Sequence, residues 1–334
     1  MSDEKASSWP DFDKRALELD AAKEAGRIID GLRLAVHHTL HRQGAVVGIS
    51  GGIDSSVVLA LCVRAFGPER VVGILLPEGE SSPESVTLAL QLAEQYGVQA
   101  VTEDISAALA GSGCYRRRDE AIARVFPDYG PGWKAKIVLP GNLLDQETLN
   151  VFSLTVTNPE GQEFAKRLPL GEYYQIVAAS NFKQRTRMAM LYYHGESRNY
   201  AVVGTANKNE HCLGFFVKYG DGGADVQPIA HLFKTQVFQL ARYLDVPEEI
   251  QKRIPTTDTY PGGSTQEEFF YRIPFDLLDT IWRGYELGIP GEKIADALNL
   301  GTEQVKHVIA DIVRKQRTTE YLRASPISLG STPD

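Results

Sequence analysis

The chain has 334 residues, of which 43% are hydrophobic and 23% charged, the balance of a globular protein with a substantial core. Its 35 Lys and Arg residues against 43 Asp and Glu residues give a formal net charge of −8, which argues against a surface that coats nucleic acid. No apolar run reaches bilayer length, and the charged N-terminus lacks the apolar core of a signal peptide. Three widely separated cysteines favour a reducing compartment over a disulfide framework. We therefore expect a cytoplasmic protein that binds neither nucleic acid nor membrane.

Apolar residues recur in patterns that predict alternating helices and strands along most of the chain. In chain order, the predicted elements are a leading helix over 12–42, an opening strand at 45–47, a helix over 57–67, a strand over 69–77, a helix over 81–97, a strand over 98–106, a helix over 182–197 and a strand over 200–207. Strand–helix–strand alternation of this kind predicts an α/β fold, with a doubly wound and mostly parallel sheet flanked by helices.

Two regions interrupt this alternation. Residues 111–172 have an irregular pattern in which Asn158-Pro159-Glu160-Gly161 predicts a β-hairpin, and we interpret them as an insertion that serves as an interface arm or a lid. From residue 274 onward the pattern is helical again, with a helix start at Gly301-Thr302-Glu303-Gln304. We predict one domain over 1–334 with four parts: a leading helix (1–42), a nucleotide-binding core (43–110 and 173–272), the insertion (111–172) and a helical C-terminal part (273–334).

The segment Gly48–Ser56, with the sequence GISGGIDSS, lies between the opening strand and the helix that follows. Such a loop lies beyond the carboxyl end of a strand, where α/β sheets bind ligands. Gly51 and Gly52 let the backbone approach a phosphate closely, the helix N-terminus favours anions, and serine hydroxyls add donors. The segment matches neither G-x-x-x-x-G-K-[ST] nor G-x-G-x-x-G. It therefore predicts a different kind of phosphate loop, the alternative being a glycine-rich turn whose Ser or Asp caps the helix.

Asp54 is the acidic residue of this predicted phosphate loop. A carboxylate beside a phosphate repels it unless a cation lies between them, and Mg²⁺ commonly bridges carboxylates and phosphates. We therefore favour Asp54 as a Mg²⁺ ligand over the alternative of a simple helix cap.

Ser-Gly-Gly-x-Asp-Ser after a strand resembles the pyrophosphate loop of the ATP pyrophosphatases, which cleave ATP between its α- and β-phosphates and transfer AMP to a substrate oxygen. A second segment, VGTANKNEHCLGFFVKYGDGGADVQPIAHLFK over 203–234, narrows the resemblance. Together the two segments closely resemble the NAD synthetase family, the ammonia-using enzymes that convert deamido-NAD to NAD. The resemblance runs over about 25–110 and 175–290, and it implies an adenine-nucleotide-hydrolase-like fold.

The resemblance also implies a role for individual residues. It implies deamido-NAD contacts at Arg185, Lys218 and Asp225, and a second Mg²⁺ carboxylate at Glu210. Solvated helix faces are the alternative for Arg185 and Glu210. The ATP contacts that it implies are Gly48, Ile49, Ser50, Gly51, Gly52, Ile53, Asp54, Ser55, Thr205, Lys234 and Thr256.

The mechanism that the resemblance implies is adenylation of a carboxylate followed by attack of ammonia. Asp54 and Lys234 are the residues that we expect to act in catalysis, with Lys234 on the ATP phosphates in place of the lysine that the loop lacks. Electrostatic positioning suffices for this chemistry, so no side-chain nucleophile is needed. We accordingly assign no role to the cysteines, and we interpret His211 as a packing or solvent-facing residue.

The C-terminal region departs from the family pattern. Many members have a His-Lys or Tyr-Lys pair followed by Arg, which contacts deamido-NAD, whereas this chain has Tyr321-Leu322-Arg323. Leu322 cannot supply the cation, so either Arg323 or the RKQR segment at 314–317 replaces it, or the contact is absent.

The partners that the resemblance implies are deamido-NAD, ATP, ammonia and a second copy of the chain, because the family's dinucleotide site lies at a two-fold interface. Nothing before residue 25 is long enough to be a glutaminase domain, so we expect free ammonia or a separate glutaminase subunit as the nitrogen source. Two alternatives stay open: a related amidotransferase that acts on another acid, and a non-catalytic nucleotide-binding subunit.

Overall fold

The computed structural model describes residues 12–139, 141–144, 152–253 and 265–330. The strands in these ranges are β1 (Ala45–Gly48), β2 (Val71–Leu75), β3 (Gln99–Thr102), β4 (Lys134–Val138), β5 (Ser153–Thr157), β6 (Glu163–Arg167) and β7 (Ala201–Val203). The helices are α1 (Ala21–Arg33), α2 (Ile53–Phe66), α3 (Pro83–Gln95), α4 (Ser106–Gly111), α5 (Cys114–Val125), α6 (Leu170–Arg198), α7 (Lys208–Leu213), α8 (Lys234–Tyr243), α9 (Glu248–Lys252), α10 (Phe275–Glu286), α11 (Gly291–Leu298), α12 (Thr302–Thr318) and α13 (Glu320–Arg323).

The central sheet has four parallel strands in the order β3-β2-β1-β7. Strand β1 is central, and Ala45 is paired with Val71 on one side and with Ala201 on the other. Its apolar residues are buried on both faces, as expected for a parallel sheet covered by helices. The predicted α/β fold with a mostly parallel sheet is confirmed, and the carboxyl ends of β1 and β7 meet at one edge.

Helices cover the two faces of this sheet. On one face, Val47 belongs to a large core that includes residues of α1, α2, α3 and α8. On the other face, Val46 packs with Met188 and Leu191 of α6. Because side chains alternate along a strand, neighbouring valines of β1 contact different helices. Side chains of α8 and α6 therefore approach the carboxyl edge of the sheet from opposite sides.

The insertion region contains a second, antiparallel sheet in the order β4-β5-β6. The predicted hairpin is confirmed, since β5 and β6 flank a turn in which the Gly161 N–H donates to the Asn158 carbonyl at 3.0 Å. The prediction of an irregular pattern from residue 111 is wrong, because α5 packs Ala121 and Ile122 against this sheet. Its apolar residues are separated by a highly charged stretch, which hid the helical period.

Helix boundaries differ from the sequence prediction at two places. The predicted leading helix over 12–42 is a 3₁₀ turn at Lys14–Leu17, then α1, whose N-terminus is capped by Asp20, and then a π-helical segment at Leu34–Thr39. The predicted helix over 182–197 begins earlier, at Leu170, directly after Pro169. The 29-residue helix α6 thus spans both sheets, with Ile176 in the small-sheet core and Leu191 against the central sheet.

The C-terminal part is helical, as predicted, and forms a separate hydrophobic cluster centred on α10 and α12. Helix α12 begins at Thr302, and the Gly301 N–H donates to Gln304 Oε1 at 2.8 Å, so the predicted helix start is confirmed. In the described part of the chain, no helix has the length and apolar character that a membrane crossing requires.

Candidate active site

A cavity of about 650 Å³ lies at the carboxyl edge of the central sheet. It is lined by the loop after β1, by the residues that follow β2 and β7, by one face of α6 and by part of the C-terminal helices. This is the position at which an open α/β sheet binds its ligand. The size is within the usual range for small-molecule sites.

The loop after β1 is held close to its neighbours. Gly51 has φ +72°, and a Cβ there would lie 2.6 Å from the Ser85 carbonyl oxygen, so a side chain would strain and crowd this position. The Ser55 and Ser56 hydroxyls donate to the Gly52 carbonyl at 2.9 and 2.8 Å. These bonds tie the loop to the first turn of α2.

The N-terminus of α2 has no side-chain cap from any described residue. The Asp54 side chain instead turns to other elements: its Oδ1 accepts a hydrogen bond from Asn207 Nδ2 at 3.0 Å, and its Oδ2 forms an ion pair with Lys234. The capping alternative for Asp54 therefore finds no support in the geometry. The helix N-terminus keeps its orphan N–H groups, which suit an anion.

Asp54, Glu210 and Lys234 form a charged centre at the edge of the cavity, although they come from α2, α7 and α8. Only 1% of Lys234 is exposed. Burial lowers the pKa of Lys234, but the Asp54 and Glu210 carboxylates outweigh it and raise the pKa above its ordinary value. Burial and the charge of Asp54 raise the pKa of Glu210, against the smaller effect of Lys234. The raised pKa favours a protonated Glu210, because Lys234 alone does not balance two ionised carboxylates.

Two carboxyl groups that one ammonium group does not balance fit a hard divalent cation, whose charge would favour the ionised form of both. In the described ranges, no group of three or more His, Cys, Asp or Glu side chains is arranged to hold a metal. Mg²⁺ nevertheless binds through one or two carboxylates, with its remaining ligands from substrate phosphates and water. The donor set of Asp54 and Glu210 matches this pattern of coordination.

Glu210 is held by the short helix α7. The Asn207 side chain accepts a hydrogen bond from the Glu210 N–H at 3.1 Å, and Glu210 Oε2 accepts one from the Asn207 N–H at 3.1 Å, forming a capping box. Glu210 Oε1 also accepts a hydrogen bond from Gln266 Nε2 at 3.3 Å. Because the Asn207 amide donates to Asp54, one asparagine fixes both carboxylates.

Lys234 is positioned by a buried polar pair that the sequence did not indicate. Asn209 Oδ1 accepts a hydrogen bond from the Lys234 N–H at 3.0 Å, and Asn209 Nδ2 donates to Asp279 Oδ1 at 2.5 Å. Asp279 Oδ2 accepts a hydrogen bond from the Thr235 N–H at 2.9 Å. Both side chains are fully buried, so the first turn of α8 is fixed to α7 and α10.

Thr205 also lines the cavity, two residues after the end of β7, where a hydroxyl was predicted to contact ATP. Of the predicted loop residues, Gly48, Ile49, Ser50, Gly52, Ile53, Asp54 and Ser55 line the cavity. Thr256 lies outside the described residues.

None of the three residues predicted to contact deamido-NAD is among the described residues that line the cavity. Asp225 accepts hydrogen bonds from the Val202 N–H and from the Tyr192 hydroxyl, both at 2.9 Å. Lys218 Nζ donates to the carbonyls of Tyr321 and Ala324 at 2.8 and 2.7 Å. These contacts tie the glycine-rich segment to β7, α6 and the C-terminal residues.

Arg185, the third of these residues, is on the exposed side of α6. Its Nε donates to the Lys218 carbonyl at 3.2 Å. Arg187, two residues further along, lines the cavity instead. The sequence placed both arginines on one helix but gave no signal for which of them faces the sheet.

Of the two candidates for the C-terminal cation, the upstream RKQR segment is the one with a residue that lines the cavity. Arg323 donates to the carbonyls of His211 and Gln316 at 3.0 and 2.7 Å, so its guanidinium is engaged in packing α13. Lys315, from the RKQR segment, lines the cavity and pairs with Asp311 at 2.8 Å. Leu322 lines the cavity as an apolar residue.

Asp221 is a further residue that the sequence reading missed. It lines the cavity, and its Oδ1 accepts a hydrogen bond from the Val217 N–H at 2.8 Å. Burial, only partly offset by this hydrogen bond, raises the pKa of Asp221 to about 6. Its position within the glycine-rich KYGDGGAD segment was the available signal, since buried carboxylates in clefts are functional candidates.

Comparison with known proteins shows the family of this chain. The family model of NAD synthase matches residues 24–123 and 154–326, and the unmatched residues between them lie within the predicted insertion. The NH(3)-dependent NAD(+) synthetase of Rhizobium meliloti (strain 1021) is 49% identical over 315 residues, covering 94% of this chain and 94% of the relative.

Two solved structures share the fold. The NH3-dependent NAD synthetase from Campylobacter jejuni has a TM-score of 0.60 and 22% identity, covering 93% of this chain and 100% of the other. The NMN synthetase from Francisella tularensis has a TM-score of 0.58 and 22% identity, covering 93% of this chain and 99% of the other. At these identities the structures support the fold alone, whereas the family match and the 49% identity establish kinship. The chain belongs to the NAD synthase family.

Proposed function

We propose that this protein is an ammonia-using NAD synthase, which amidates deamido-NAD to NAD at the expense of ATP, releasing AMP and pyrophosphate. The observation that carries the proposal is the charged centre of Asp54, Glu210 and Lys234 beside the loop after β1. A phosphate loop without a lysine of its own needs a cation from elsewhere, and Lys234 of α8 supplies it. The chain's 49% identity to an NH(3)-dependent NAD(+) synthetase supports the same reaction.

Asp54 and Glu210 would hold Mg²⁺ in this reaction. When bound, the ion would neutralise charge on the ATP phosphates and lower the cost of pyrophosphate departure. The raised pKa of Glu210, caused by burial and by Asp54, supports a cation between the two carboxylates.

The chemistry needs two displacements. A carboxylate oxygen of deamido-NAD forms a bond to the α-phosphorus of ATP, and the bond from that phosphorus to the pyrophosphate oxygen breaks. Lys234 and the backbone N–H groups at the start of α2 stabilise the negative charge on the phosphates. The nitrogen of ammonia then bonds to the activated carbonyl carbon, the bond to the AMP oxygen breaks, and one proton is released.

The exposed side of α6 supports a homodimer. Aromatic and small side chains recur there at intervals of three or four residues, which places them in one stripe. Its aromatic and small side chains are Tyr174, Ala178, Phe182, Ala189 and Tyr193, and the charged Arg185 lies among them. Tyr174 and Tyr193 are 61% and 59% exposed, and an apolar stripe of this length on one helix suits a two-fold helix pair.

This arrangement would give Arg185 a function that a single chain does not display. Arg185 lies in the middle of the stripe, so in a homodimer it would lie at the subunit interface. A dinucleotide bound across that interface could be contacted there by its guanidinium, which suits phosphate. The roles of Arg185, Lys218 and Asp225 toward deamido-NAD, and of Thr205 and Thr256 toward ATP, stay predictions.

The nitrogen source determines whether the protein needs a partner subunit. The relatives are named for NH(3), which supports free ammonia, and a separate glutaminase subunit stays the alternative. The cytoplasmic location stays a prediction from the composition.

The decisive experiment supplies the purified protein with deamido-NAD, ATP and Mg²⁺, and with either ammonium or glutamine, and follows NAD, AMP and pyrophosphate. We expect NAD and AMP in equal amounts with ammonium and no NAD with glutamine. Nicotinic acid mononucleotide and other acids serve as competing substrates. ADP as the nucleotide product, or faster turnover of another acid, would refute the proposal, and tight ATP binding without turnover would favour a non-catalytic subunit.

A further inference from the structure

Arg187 has hydrogen-bonding capacity that the protein leaves unused. The residue lines the cavity, and its Nε donates to the Leu76 carbonyl at 3.2 Å. Its Nη1 atom is buried and has no hydrogen-bond partner in the described part of the chain. A guanidinium carries five N–H donors, and buried donors in native proteins are almost always paired. An unpaired buried donor beside a cavity therefore calls for a ligand with acceptor oxygens.

The positive charge of Arg187 also has no carboxylate in direct contact with it among the described residues. Its guanidinium forms no salt bridge with any described residue, in contrast to Lys234, which pairs with Asp54, and Lys315, which pairs with Asp311. The Asp221 carboxylate is near enough for Arg187 to oppose the rise in its pKa, but the two groups do not form an ion pair. The expected ligand is therefore an anion.

The position of Arg187 indicates which anion. Leu191, one helical turn further along α6, packs on Gly48 at the end of β1, where a Cβ would lie 3.3 Å from Leu191 Cδ1. The Leu76 carbonyl that Arg187 contacts directly follows the end of β2. Arg187 therefore lies beyond the carboxyl ends of the two central strands, above the loop that begins at Gly48.

Arg187 and Lys234 approach this point from opposite faces of the sheet. Met188 and Leu191 of α6 pack with Val46, whereas Val237 of α8 belongs to the core that contains Val47. In an in-line displacement, the attacking carboxylate and the departing pyrophosphate lie on opposite sides of the α-phosphorus. The non-bridging α-oxygens project sideways from this line, so a phosphoryl group held beyond the sheet can receive a donor from each face, and Arg187 is the donor on the α6 face.

Resting on the proposed function, we propose that Arg187 binds a non-bridging oxygen of the ATP α-phosphoryl group. In the first step, the carboxylate oxygen bonds to the α-phosphorus while the bond to the pyrophosphate oxygen breaks, and the α-phosphoryl group passes through a transition state with developing charge. In the second step, the same phosphoryl group leaves as AMP when ammonia attacks the carbonyl carbon. The Arg187 guanidinium stabilises both steps, since one phosphoryl group takes part in each.

The test compares Arg187→Gln and Arg187→Lys with Arg116→Gln, a control on α5 whose side chain is 66% exposed. Two rates are measured: deamido-NAD-dependent exchange of labelled pyrophosphate into ATP, which reports adenylation alone, and formation of NAD. We expect Arg187→Gln to lower both by about 100-fold or more, Arg187→Lys to lower both by a smaller factor, and the control to match the parent protein. Thermal unfolding of each variant shows whether it is folded. If Arg187→Gln does not fold, the two rates of Arg187→Lys test the proposal.

ATP with sulfur in place of a non-bridging α-oxygen gives the specific signature. The parent protein should use this analogue more slowly than ATP, and the ratio of the two rates should shrink in Arg187→Gln. An unchanged ratio with a raised KM for deamido-NAD would overturn the inference and assign Arg187 to the substrate carboxylate. Normal exchange in both variants would also overturn it. These outcomes are separate from failure of the proposed function, in which the parent protein itself forms no NAD from deamido-NAD.

Discussion

Replacing Asp54 with asparagine separates a role in catalysis from a role in stability. Asparagine keeps the size of the side chain and can still accept the hydrogen bond from Asn207. The substitution removes the partner of Lys234, which is almost completely buried. Breaking a buried ion pair costs about 3–5 kcal/mol when the remaining charge has no other partner. Here Glu210 also acts on Lys234, so we expect a smaller loss of about 1–2 kcal/mol in the free energy of unfolding.

The expected loss of activity is larger. If Asp54 holds Mg²⁺ on the phosphates of ATP, its loss should lower turnover by about a thousandfold, which corresponds to ~4 kcal/mol of activation free energy. The midpoint of a Mg²⁺ titration of the rate should also rise. The two effects differ because the ion pair stabilises the folded protein, whereas the metal acts on the transition state.

The assay measures initial rates of AMP and NAD formation across Mg²⁺ concentrations, and thermal unfolding without ligands, for Asp54→Asn and for Glu103→Gln. Glu103 is a suitable control because its partly buried carboxylate hydrogen-bonds to His194, and neither residue is among the described residues that line the cavity. If the rate of Asp54→Asn falls only in proportion to the fraction of the variant that is unfolded, the reasoning is refuted. So would an unchanged Mg²⁺ dependence, since Asp54 would then not hold the ion.

Three further predictions concern the loop, the buried support of Lys234 and the α6 stripe. Gly51→Ala should lower the free energy of unfolding by at least ~1–2 kcal/mol and weaken ATP binding, because its φ of +72° and the nearby Ser85 carbonyl exclude a Cβ; denaturant unfolding and calorimetric ATP titration measure the two effects. Asp279→Ala should lower the free energy of unfolding by ~2–4 kcal/mol and raise the KM for ATP, because buried donors in α7 and α8 lose their acceptor; an unchanged KM would mean that Asp279 does not position Lys234. Ala189→Glu should convert a homodimer to monomers in light scattering, whereas Ala108→Glu on the exposed side of α4 should not, and a monomeric parent protein would contradict the dimer.

Local sequence patterns predicted the parts of the fold that depend on local physics. The central strands, the turn at Asn158–Gly161 and the start of α12 each have a strong short-range signal, and all three were confirmed. Helix α5 was missed because charged residues cover most of its surface, and its apolar side is evident only against the small sheet. The early start of α6 was missed because its first turns pack on the insertion and not on the central sheet.

The residues of the site could be predicted where they lie together in one segment of the sequence. They could not be predicted where tertiary packing decides which of two nearby residues faces the cavity. The loop after β1 was identified from its glycines and from Asp54 alone. Arg185 and Arg187, by contrast, are two residues apart and so project roughly 200° apart around a helix. Which of them faces the cavity depends on how α6 packs against Val46, and no local pattern carries that information.

The charged centre shows why the topology matters for the chemistry. Lys234 and Asp54 are 180 residues apart in sequence, and they meet because α8 packs on α2 in the core below the loop. Glu210 joins them because β7 lies beside β1, which brings the helix after β7 to the same edge. The result is a buried site with two carboxylates and one ammonium group, an arrangement that stability alone does not favour. In the proposed function, a bound divalent cation would supply the positive charge that this arrangement lacks when both carboxyl groups are ionised, so the burial that raises the pKa of Glu210 would also favour the metal-bound state.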